Sequence, residues 1–181
     1  PVFEYDFVKV PNGEIYVLAK ELVASVMKTA GIDSWEVLAT VLGSDLELIK
    51  TKHPLFDRDS LVITGDHVTL DAGTGCVHTA PGFGADDFIV CQRYNIPIIV
   101  PVDGKGRHTA ESGKYEGMFV DDSNEVILKD LDDCGALLAT EDIVHSYPHC
   151  WRCKNPIIFR TTEQWFCSVD ALKDDAVKAC E

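Results

Sequence analysis

Residues Glu4 to Leu18 read EYDFVKVPNGEIYVL, and this stretch decides how the first part of the chain folds. Up to Val10, aromatic or aliphatic residues alternate with charged ones, which is the period of a half-buried β-strand. Pro11-Asn12-Gly13 is a turn signal, and a second apolar run follows it. The stretch therefore predicts a β-hairpin.

The sequence period changes after Ala19 and predicts a helix that ends at Gly31, because glycine is common just past helix ends. The apolar face of this helix has four members: Leu22, Val23, Val26 and Met27. Two β-rich stretches follow, one from Trp35 to Leu42 and the other from Leu61 to Leu70. The first third of the chain is thus predicted to be strand-rich around one helix.

Three more elements are predicted further along. Ala85 to Tyr94 has the pattern of a short helix, and the apolar run from Ile96 to Val102, with its prolines, suits a buried strand. Asp122-Ser123 can cap another helix, which runs through Leu131 and closes near Gly135. Many short strands with a few helices between them indicate an α+β fold that is mainly β with peripheral helices, closed or nearly closed.

The composition describes one acidic domain. The 181 residues are 46% apolar, enough for one full core, and carry a formal charge of −14. This charge argues against binding nucleic acid over the whole surface, because such binding needs clustered lysine and arginine. Any nucleic-acid contact is expected to be local. The nearest approach to a basic patch is Lys105-Gly106-Arg107-His108 with Lys114, for which a solvated loop is the simpler interpretation.

The sequence contains no apolar run of membrane-spanning length and no signal peptide, which predicts a cytoplasmic protein with no membrane partner. Its seven cysteines are scattered along the chain, so reduced thiols are expected and a disulfide framework is not. Pro1 stands in place of Met and strand-like sequence follows at once, which suggests a segment of a longer polypeptide.

The segment from Gly73 to Asp87 reads GTGCVHTAPGFGADD and concentrates functional residue types between four glycines. Glycine lets the backbone adopt positive φ or approach a ligand closely, and Pro81 fixes the chain between them. The plain alternative is a glycine-rich turn that joins two elements. We call residues 73–87 the glycine segment.

Two kinds of side chain in the glycine segment carry chemistry. Asp86-Asp87 stands at the predicted start of a helix, where one carboxylate can cap exposed N–H groups and the other can bind a cation such as an α-ammonium group. His78 can act as a general base, as a steric wall, or as a hydrogen-bonded core histidine. The sequence leaves these alternatives open.

With Phe88 added, the glycine segment resembles the editing-site signature shared by the isoleucine, valine and leucine tRNA synthetases, of the class I aminoacyl-tRNA synthetase family. The pocket histidine and aspartate of that family fall on His78 and Asp87. A valine or leucine enzyme shares the glycine segment, so the closer likeness to the isoleucine enzyme depends on later stretches. The resemblance continues at Gly65 to Leu70, His145 to Arg152, Pro156 to Arg160 and Gln164 to Phe166.

The resemblance implies a β-barrel-centred editing domain, or connective polypeptide, over residues 1–160, with residues 161–181 leading back towards the aminoacylation domain. Its implied activity is post-transfer proofreading, the hydrolysis of Val-tRNA(Ile), with no cofactor needed for editing. Implied partners are the aminoacylated 3′ end of tRNA(Ile), its valine moiety and the remainder of an ATP-using synthetase. No His-Ile-Gly-His or Lys-Met-Ser-Lys-Ser signature occurs, which excludes amino-acid activation by this chain.

The resemblance also implies residue roles. Asp87 would hold the α-ammonium group and His78 would exclude the larger amino acid, while either His78, the terminal ribose hydroxyl or a water network activates the attacking water. The floor of the pocket would consist of Gly73, Thr74, Gly75, Thr79 and Ala80. Phe83 departs from the family, many members of which have a second histidine there. The family's threonine-rich strand is expected before residue 1, so the isolated chain is expected to edit weakly or not at all.

Cys150-Trp151-Arg152-Cys153 has the spacing of two zinc ligands, with His145 and His149 near in sequence. Ligation by the adjacent His149 and Cys150 together is sterically awkward, so a self-contained Cys₂His₂ site is not expected. In the family such a pair meets a second CxxC, which would lie outside this chain. The alternative is two reduced cysteines without metal.

Two other functions compete with editing. One is a metal-binding structural or RNA-binding module, suggested by the CxxC and the loop at Lys105, although the acidic composition opposes it. The other is a free-standing metal hydrolase that uses His67, His78 and Asp87, although the chain lacks the paired-histidine spacing of a zinc signature.

Overall fold

A computed structural model describes residues 2–180, so the argument from Pro1 lies outside the described residues. The first three strands are β1 (Glu4–Lys9), β2 (Ile15–Ala19) and β3 (Glu36–Leu42). They form one antiparallel sheet in the order β2-β1-β3, with Tyr5 opposite Ala19 and Lys9 opposite Ile15 in the hairpin. The predicted hairpin and the strand predicted from Trp35 to Leu42 are confirmed.

A helix covers one face of this sheet. It is α1 (Val23–Thr29), which follows a 3-10 turn at Lys20–Leu22, and Gly31 lies just beyond it with φ +68°. The predicted helix is thus confirmed. Its apolar face packs on the hairpin, and the largest buried cluster consists of Val8, Val10, Leu18, Val23 and Met27.

The remaining elements are short. A second sheet pairs β4 (Lys50–Lys52) with β5 (Asp59–Leu61), and the later helices are α2 (Ala85–Arg93), α3 (Val120–Asp133) and α4 (Asp170–Cys180). 3-10 turns occur at Gly43–Leu46 and Ala110–Tyr115. None of the helices within residues 2–180 combines the length and apolar character needed to cross a bilayer.

The fold class is α+β. The predicted α+β class is confirmed, but within residues 2–180 the helices contain more residues than the strands, so strands do not predominate as expected. The two sheets have three and two strands and do not close into a barrel within this range. The sheet order leaves one edge of β3 without a neighbouring strand among the described residues, and side chains such as Val37, Leu38 and Leu42 are exposed there.

Two predicted strands are absent from the described chain. Of the stretch from Leu61 to Leu70, only Leu61 lies in a strand, because the backbone turns at Gly65. The run from Ile96 to Val102 forms no regular strand, and Ile98 and Ile99 are exposed. Proline has no N–H to donate to a sheet, and prolines interrupt this apolar run at two places, Pro97 and Pro101.

The helices predicted after Ala85 and around residue 125 are confirmed, with one error in the capping. α3 begins at Val120 with Phe119 as its N-cap residue and no side-chain cap. Ser123 lies inside the helix, where its hydroxyl donates to the Val120 carbonyl and lies 2.9 Å from His108 Nε2. Ser123 therefore bonds to the helix backbone and to the distant His108, and it does not cap the helix as predicted.

Candidate functional site

The first half of the glycine segment lies along the hairpin. The Ala19 amide donates to the Thr74 carbonyl at 2.9 Å, and the Tyr5 hydroxyl donates to the Gly75 carbonyl at 2.7 Å. The Cys76 thiol lies 3.7 Å from the Val17 carbonyl oxygen. These contacts fix the segment against β2 and leave little freedom at its start.

Gly75 is required by this docking. Its φ is +74°, a conformation that residues with a Cβ rarely adopt, and a Cβ built there would lie 2.4 Å from Ala19 Cβ. Gly73 has almost the same φ, +75°, but nothing lies within 4 Å of its Cβ position. The expectation of positive φ in the segment is confirmed at both glycines, and at Gly75 the missing side chain allows close packing on Ala19.

The second half of the segment is fixed by a turn and by two distant stretches. The Phe83 amide donates to the Ala80 carbonyl at 2.9 Å, which closes a turn around Pro81 and Gly82. A Cβ at Gly82 would lie 2.5 Å from the Ile99 carbonyl oxygen. The Thr161 amide donates to the Gly82 carbonyl at 2.8 Å. This half is therefore packed between residues near 99 and 161.

Asp87 turns back towards the segment that precedes it. It lies in the first turn of α2 and is half-buried, and its Oδ2 accepts the Ala80 amide at 2.9 Å. This bond uses one carboxylate oxygen and leaves Oδ1 for another donor. The helix begins after Gly84 without a side-chain cap, so the prediction that one of the two aspartates caps it is wrong.

The middle of the glycine segment faces solvent between the two fixed halves. Cys76, Val77 and His78 are exposed, while Thr79 and Ala80 are half-buried. The Thr74 hydroxyl is engaged locally, since it accepts the Cys76 amide at 3.2 Å. The structure thus joins Ala80 to Asp87 directly, but His78 makes no hydrogen bond to Asp87 within residues 2–180.

A thiol also lies in this exposed middle. Although Cys76 is exposed as a residue, the protein around its sulfur desolvates the thiol and raises its pKa. A raised thiol pKa disfavours the thiolate, which is the nucleophilic form. The nucleophilic form of Cys76 is therefore disfavoured at neutral pH.

His53 is a neighbour of His78 that sequence reasoning did not single out. Its Nδ1 accepts the Leu55 and Phe56 amides at 3.1 and 3.2 Å. Burial lowers the pKa of His53, and the positive charges of Arg58 and His78 lower it further. The two histidines come from stretches far apart in the sequence, so no local spacing signals their proximity.

The interaction of His53 with His78 predicts how the stability of the fold depends on pH. The fold favours neutral His53, so this group contributes stability above the ordinary histidine pKa of 6.5, and the contribution is lost as pH falls below it. Replacing His78 with glutamine removes one like charge and is expected to raise the pKa of His53. Titration of the His53 ring by NMR in both proteins measures this. An unchanged His53 pKa would show that the two rings do not interact.

The three-residue metal hydrolase receives no support from the described residues. His67 packs beneath Gly65, where a Cβ would lie 2.6 Å from the ring, and its Nε2 is buried without a hydrogen-bond partner in the part of the chain described. No group of three or more His, Cys, Asp or Glu side chains within residues 2–180 is arranged to hold a metal ion. His67, His78 and Asp87 therefore do not form such a site there.

The Cys150–Cys153 pair lies in a tight hairpin. The Cys150 amide donates to the Asn155 carbonyl and the Lys154 amide donates to the Cys150 carbonyl, both at 2.8 Å. Hydrogen bonding by the Cys153 and Arg152 backbone amides and by the Cys153 thiol lowers the pKa of the Cys150 thiol. The donor set suits half of a tetrahedral zinc site, while His149 bonds the Tyr147 carbonyl instead.

No protein-family model matches the chain. It is 59% identical to the isoleucine–tRNA ligases of Caldicellulosiruptor saccharolyticus and Caldicellulosiruptor bescii, and 54% identical to that of Bacillus cereus. Each alignment covers 99% of this chain and 19% of the relative, so the chain spans about a fifth of the length of these relatives.

Along nearly its whole length the chain is therefore similar to one segment of these aminoacyl-tRNA ligases. More particularly, the relatives that it matches are isoleucine–tRNA ligases. This agrees with the choice of the isoleucine enzyme over its valine and leucine counterparts, which depended on the stretches after His145.

Proposed function

We propose that this chain carries the amino-acid-recognition half of a proofreading site that hydrolyses Val-tRNA(Ile). The observation that carries the proposal is the position of Asp87. Its hydrogen bond to Ala80 holds the carboxylate beside the exposed middle of the glycine segment, with one oxygen left for a cationic ligand. An α-ammonium group is the cation that every aminoacyl ester presents.

A proofreading site meets a physical need of such a ligase. A hydrophobic pocket cannot strongly reject a ligand that is one methylene smaller, a limit for which isoleucine–tRNA ligases are themselves the standard worked example. A second site that hydrolyses only the smaller product raises the overall selectivity. In the reaction, water adds to the ester carbonyl, the bond to the ribose oxygen breaks, and valine and a free ribose hydroxyl are released.

Each site residue has a role in the proposed reaction that follows from its chemistry and its exposure. Asp87 binds the α-ammonium group, and exposed His78 limits the size of the side chain that enters. The floor is formed by backbone and small side chains on either side of His78, where Gly75 is held against Ala19 and the turn at Ala80 is closed by the Phe83 amide. The complete set is Gly73, Thr74, Gly75, His78, Thr79, Ala80 and Asp87.

The second wall of the pocket comes from outside this chain in our proposal. The family's threonine-rich strand supplies it, and further strands of the synthetase complete a barrel around the β2-β1-β3 sheet. The open edge of β3 supports this proposal, since its exposed apolar side chains suit another strand. Residues 161–181 lead back to the catalytic body, which covers the exposed Trp165 and Phe166. The assembled enzyme works in the cytoplasm.

Hydrolysis of preformed aminoacyl-tRNA tests the proposed function. A full-length isoleucine–tRNA ligase that carries this sequence is expected to deacylate Val-tRNA(Ile) and to spare Ile-tRNA(Ile). The isolated 181-residue chain is expected to be weak or inactive, because in our proposal the second wall of the pocket comes from outside it. Single-turnover release of each labelled amino acid measures both. Equal rates for the two esters with the full-length enzyme would contradict the proposal.

We propose in addition that Cys150 and Cys153 complete a zinc site with a second cysteine pair of the synthetase. Zinc would supply structural cross-linking there, not catalysis. Changing Cys150 to serine is expected to lower the zinc content of the full-length ligase by one equivalent, while changing the exposed Cys134 to serine is not. Metal analysis of the purified proteins measures this. An unchanged zinc content in the Cys150 variant would contradict the proposed half-site.

A further inference from the structure

Three cationic side chains converge on one loop of this acidic protein. Lys105 and Arg107 are exposed on the loop, and Arg160 Nη2 lies 3.8 Å from the Cβ position of Gly104. None of the three forms an ion pair with an acidic side chain within residues 2–180. We call Lys105, Arg107 and Arg160 the basic patch.

Hydrogen bonds hold the backbone of the loop that carries the patch. Asp103 Oδ1 accepts the Lys105 and Arg107 amides at 2.8 and 2.9 Å, and these bonds lower the pKa of the Asp103 carboxyl. Arg107 Nη1 also donates to the Gly117 carbonyl at 2.7 Å. Asp103 thus holds the loop backbone through one carboxylate oxygen, and the Arg107 guanidinium is held by the Gly117 carbonyl.

The basic patch lies beside the glycine segment. Ile158 Cδ1 is 2.9 Å from the Cβ position of Gly106, and the Thr161 amide donates to the Gly82 carbonyl at 2.8 Å. One stretch of chain, residues 158–161, therefore touches both the loop and the glycine segment. A stretch of this length spans at most about 10 Å, so the patch is within reach of a ligand that also occupies the site.

We propose that the basic patch binds backbone phosphates of the single-stranded 3′ end of the aminoacyl-tRNA whose ester enters the glycine segment. The identity of this RNA rests on the proposed function. Lysine and arginine are the residues that neutralise phosphates, and the arginine fork can bind one of them through two hydrogen bonds. With a net charge of −14, most of the surface repels RNA, so a local cationic patch fixes where the strand passes.

Salt-dependent binding of uncharged tRNA(Ile) to the full-length ligase tests the patch. The variant combines Lys105→Ala with Arg107→Gln, because glutamine retains a donor for the Gly117 carbonyl. The matched control combines Lys9→Ala with Lys28→Ala, which removes two exposed lysines elsewhere. Two lost contacts to single-stranded phosphates make the slope of log K against log salt shallower by about 1.4, which corresponds to about 25-fold weaker binding at 0.1 M salt.

A second probe separates the 3′ end from the rest of the tRNA. With tRNA(Ile) that lacks its unpaired 3′ nucleotides, the patch variant and the unmodified ligase are expected to bind equally. An unchanged slope with intact tRNA, or an equal loss with the truncated tRNA, would overturn the proposal. Uncharged tRNA has no ester, so this binding test does not depend on hydrolysis. If the patch variant changed the slope but the ligase failed to hydrolyse Val-tRNA(Ile), the proposed function would be wrong and RNA binding by the patch would still be supported.

Discussion

Changing Asp87 to asparagine in the full-length ligase is expected to reduce the hydrolysis of Val-tRNA(Ile) by at least about 30-fold. The second wall of the proposed pocket would bury the charge pair, and loss of one partner of a buried pair costs about 2–5 kcal/mol. Asparagine retains a carbonyl oxygen that can accept the Ala80 amide, so the loop contact at 2.9 Å can survive. The substitution removes the negative charge, and with it the attraction to an α-ammonium group.

Asp86 provides the matched control for this prediction. It is the preceding residue on α2 and is exposed, so changing it to asparagine removes the same charge from the same helix turn. The Asp86 variant is expected to hydrolyse Val-tRNA(Ile) at nearly the normal rate. The comparison uses single-turnover rates at saturating enzyme. Equal losses in the two variants would mean that the helix charge matters in general and that Asp87 has no specific role.

Changing Gly75 to alanine in the 181-residue chain is expected to lower the free energy of unfolding by about 2–4 kcal/mol. A side chain at φ +74° is strained, and its Cβ would lie 2.4 Å from Ala19 Cβ, where the hairpin backbone cannot move easily. Separation of the two would also break the hydrogen bond from Tyr5 to the Gly75 carbonyl. Urea denaturation followed by circular dichroism measures the change.

Gly73 separates the two causes of this destabilisation. Its φ of +75° imposes the same backbone strain, but its Cβ position is open, so Gly73→Ala is expected to cost only about 1–2 kcal/mol. The difference between the two variants reports the packing of the glycine segment on the hairpin. If the two substitutions were equally destabilising, that packing would be absent in solution.

The sequence was sufficient where structure follows from local periodicity. The hairpin, α1 and α2 were predicted because alternating or helical patterns and turn residues lie next to each other in the chain. The prediction of a strand from Ile96 to Val102 was wrong because it also relied on local composition. Its composition resembles a buried strand, but its prolines cannot complete a ladder, and the run instead supplies the Ile99 carbonyl against which Gly82 packs.

The geometry of the candidate site depends on contacts between distant residues, which no local pattern encodes. The glycines could be predicted to need positive φ, but not that Gly75 would pack on Ala19 or that Thr161 would bond Gly82. The proximity of His53 to His78 and the meeting of Arg160 with Gly104 are similar cases. The residue types in the sequence indicated which chemical groups a site could use, and the tertiary fold determines which of these residues lie close together.

The accumulation of misacylated product tests the central claim most directly. A full-length ligase that carries this sequence is supplied with valine, ATP and tRNA(Ile), and Val-tRNA(Ile) is measured over time. With the unmodified glycine segment, little Val-tRNA(Ile) is expected to accumulate, whereas the Asp87→Asn enzyme is expected to accumulate it while charging isoleucine at the normal rate. If both enzymes accumulated Val-tRNA(Ile) to the same level, the glycine segment would not be a proofreading site.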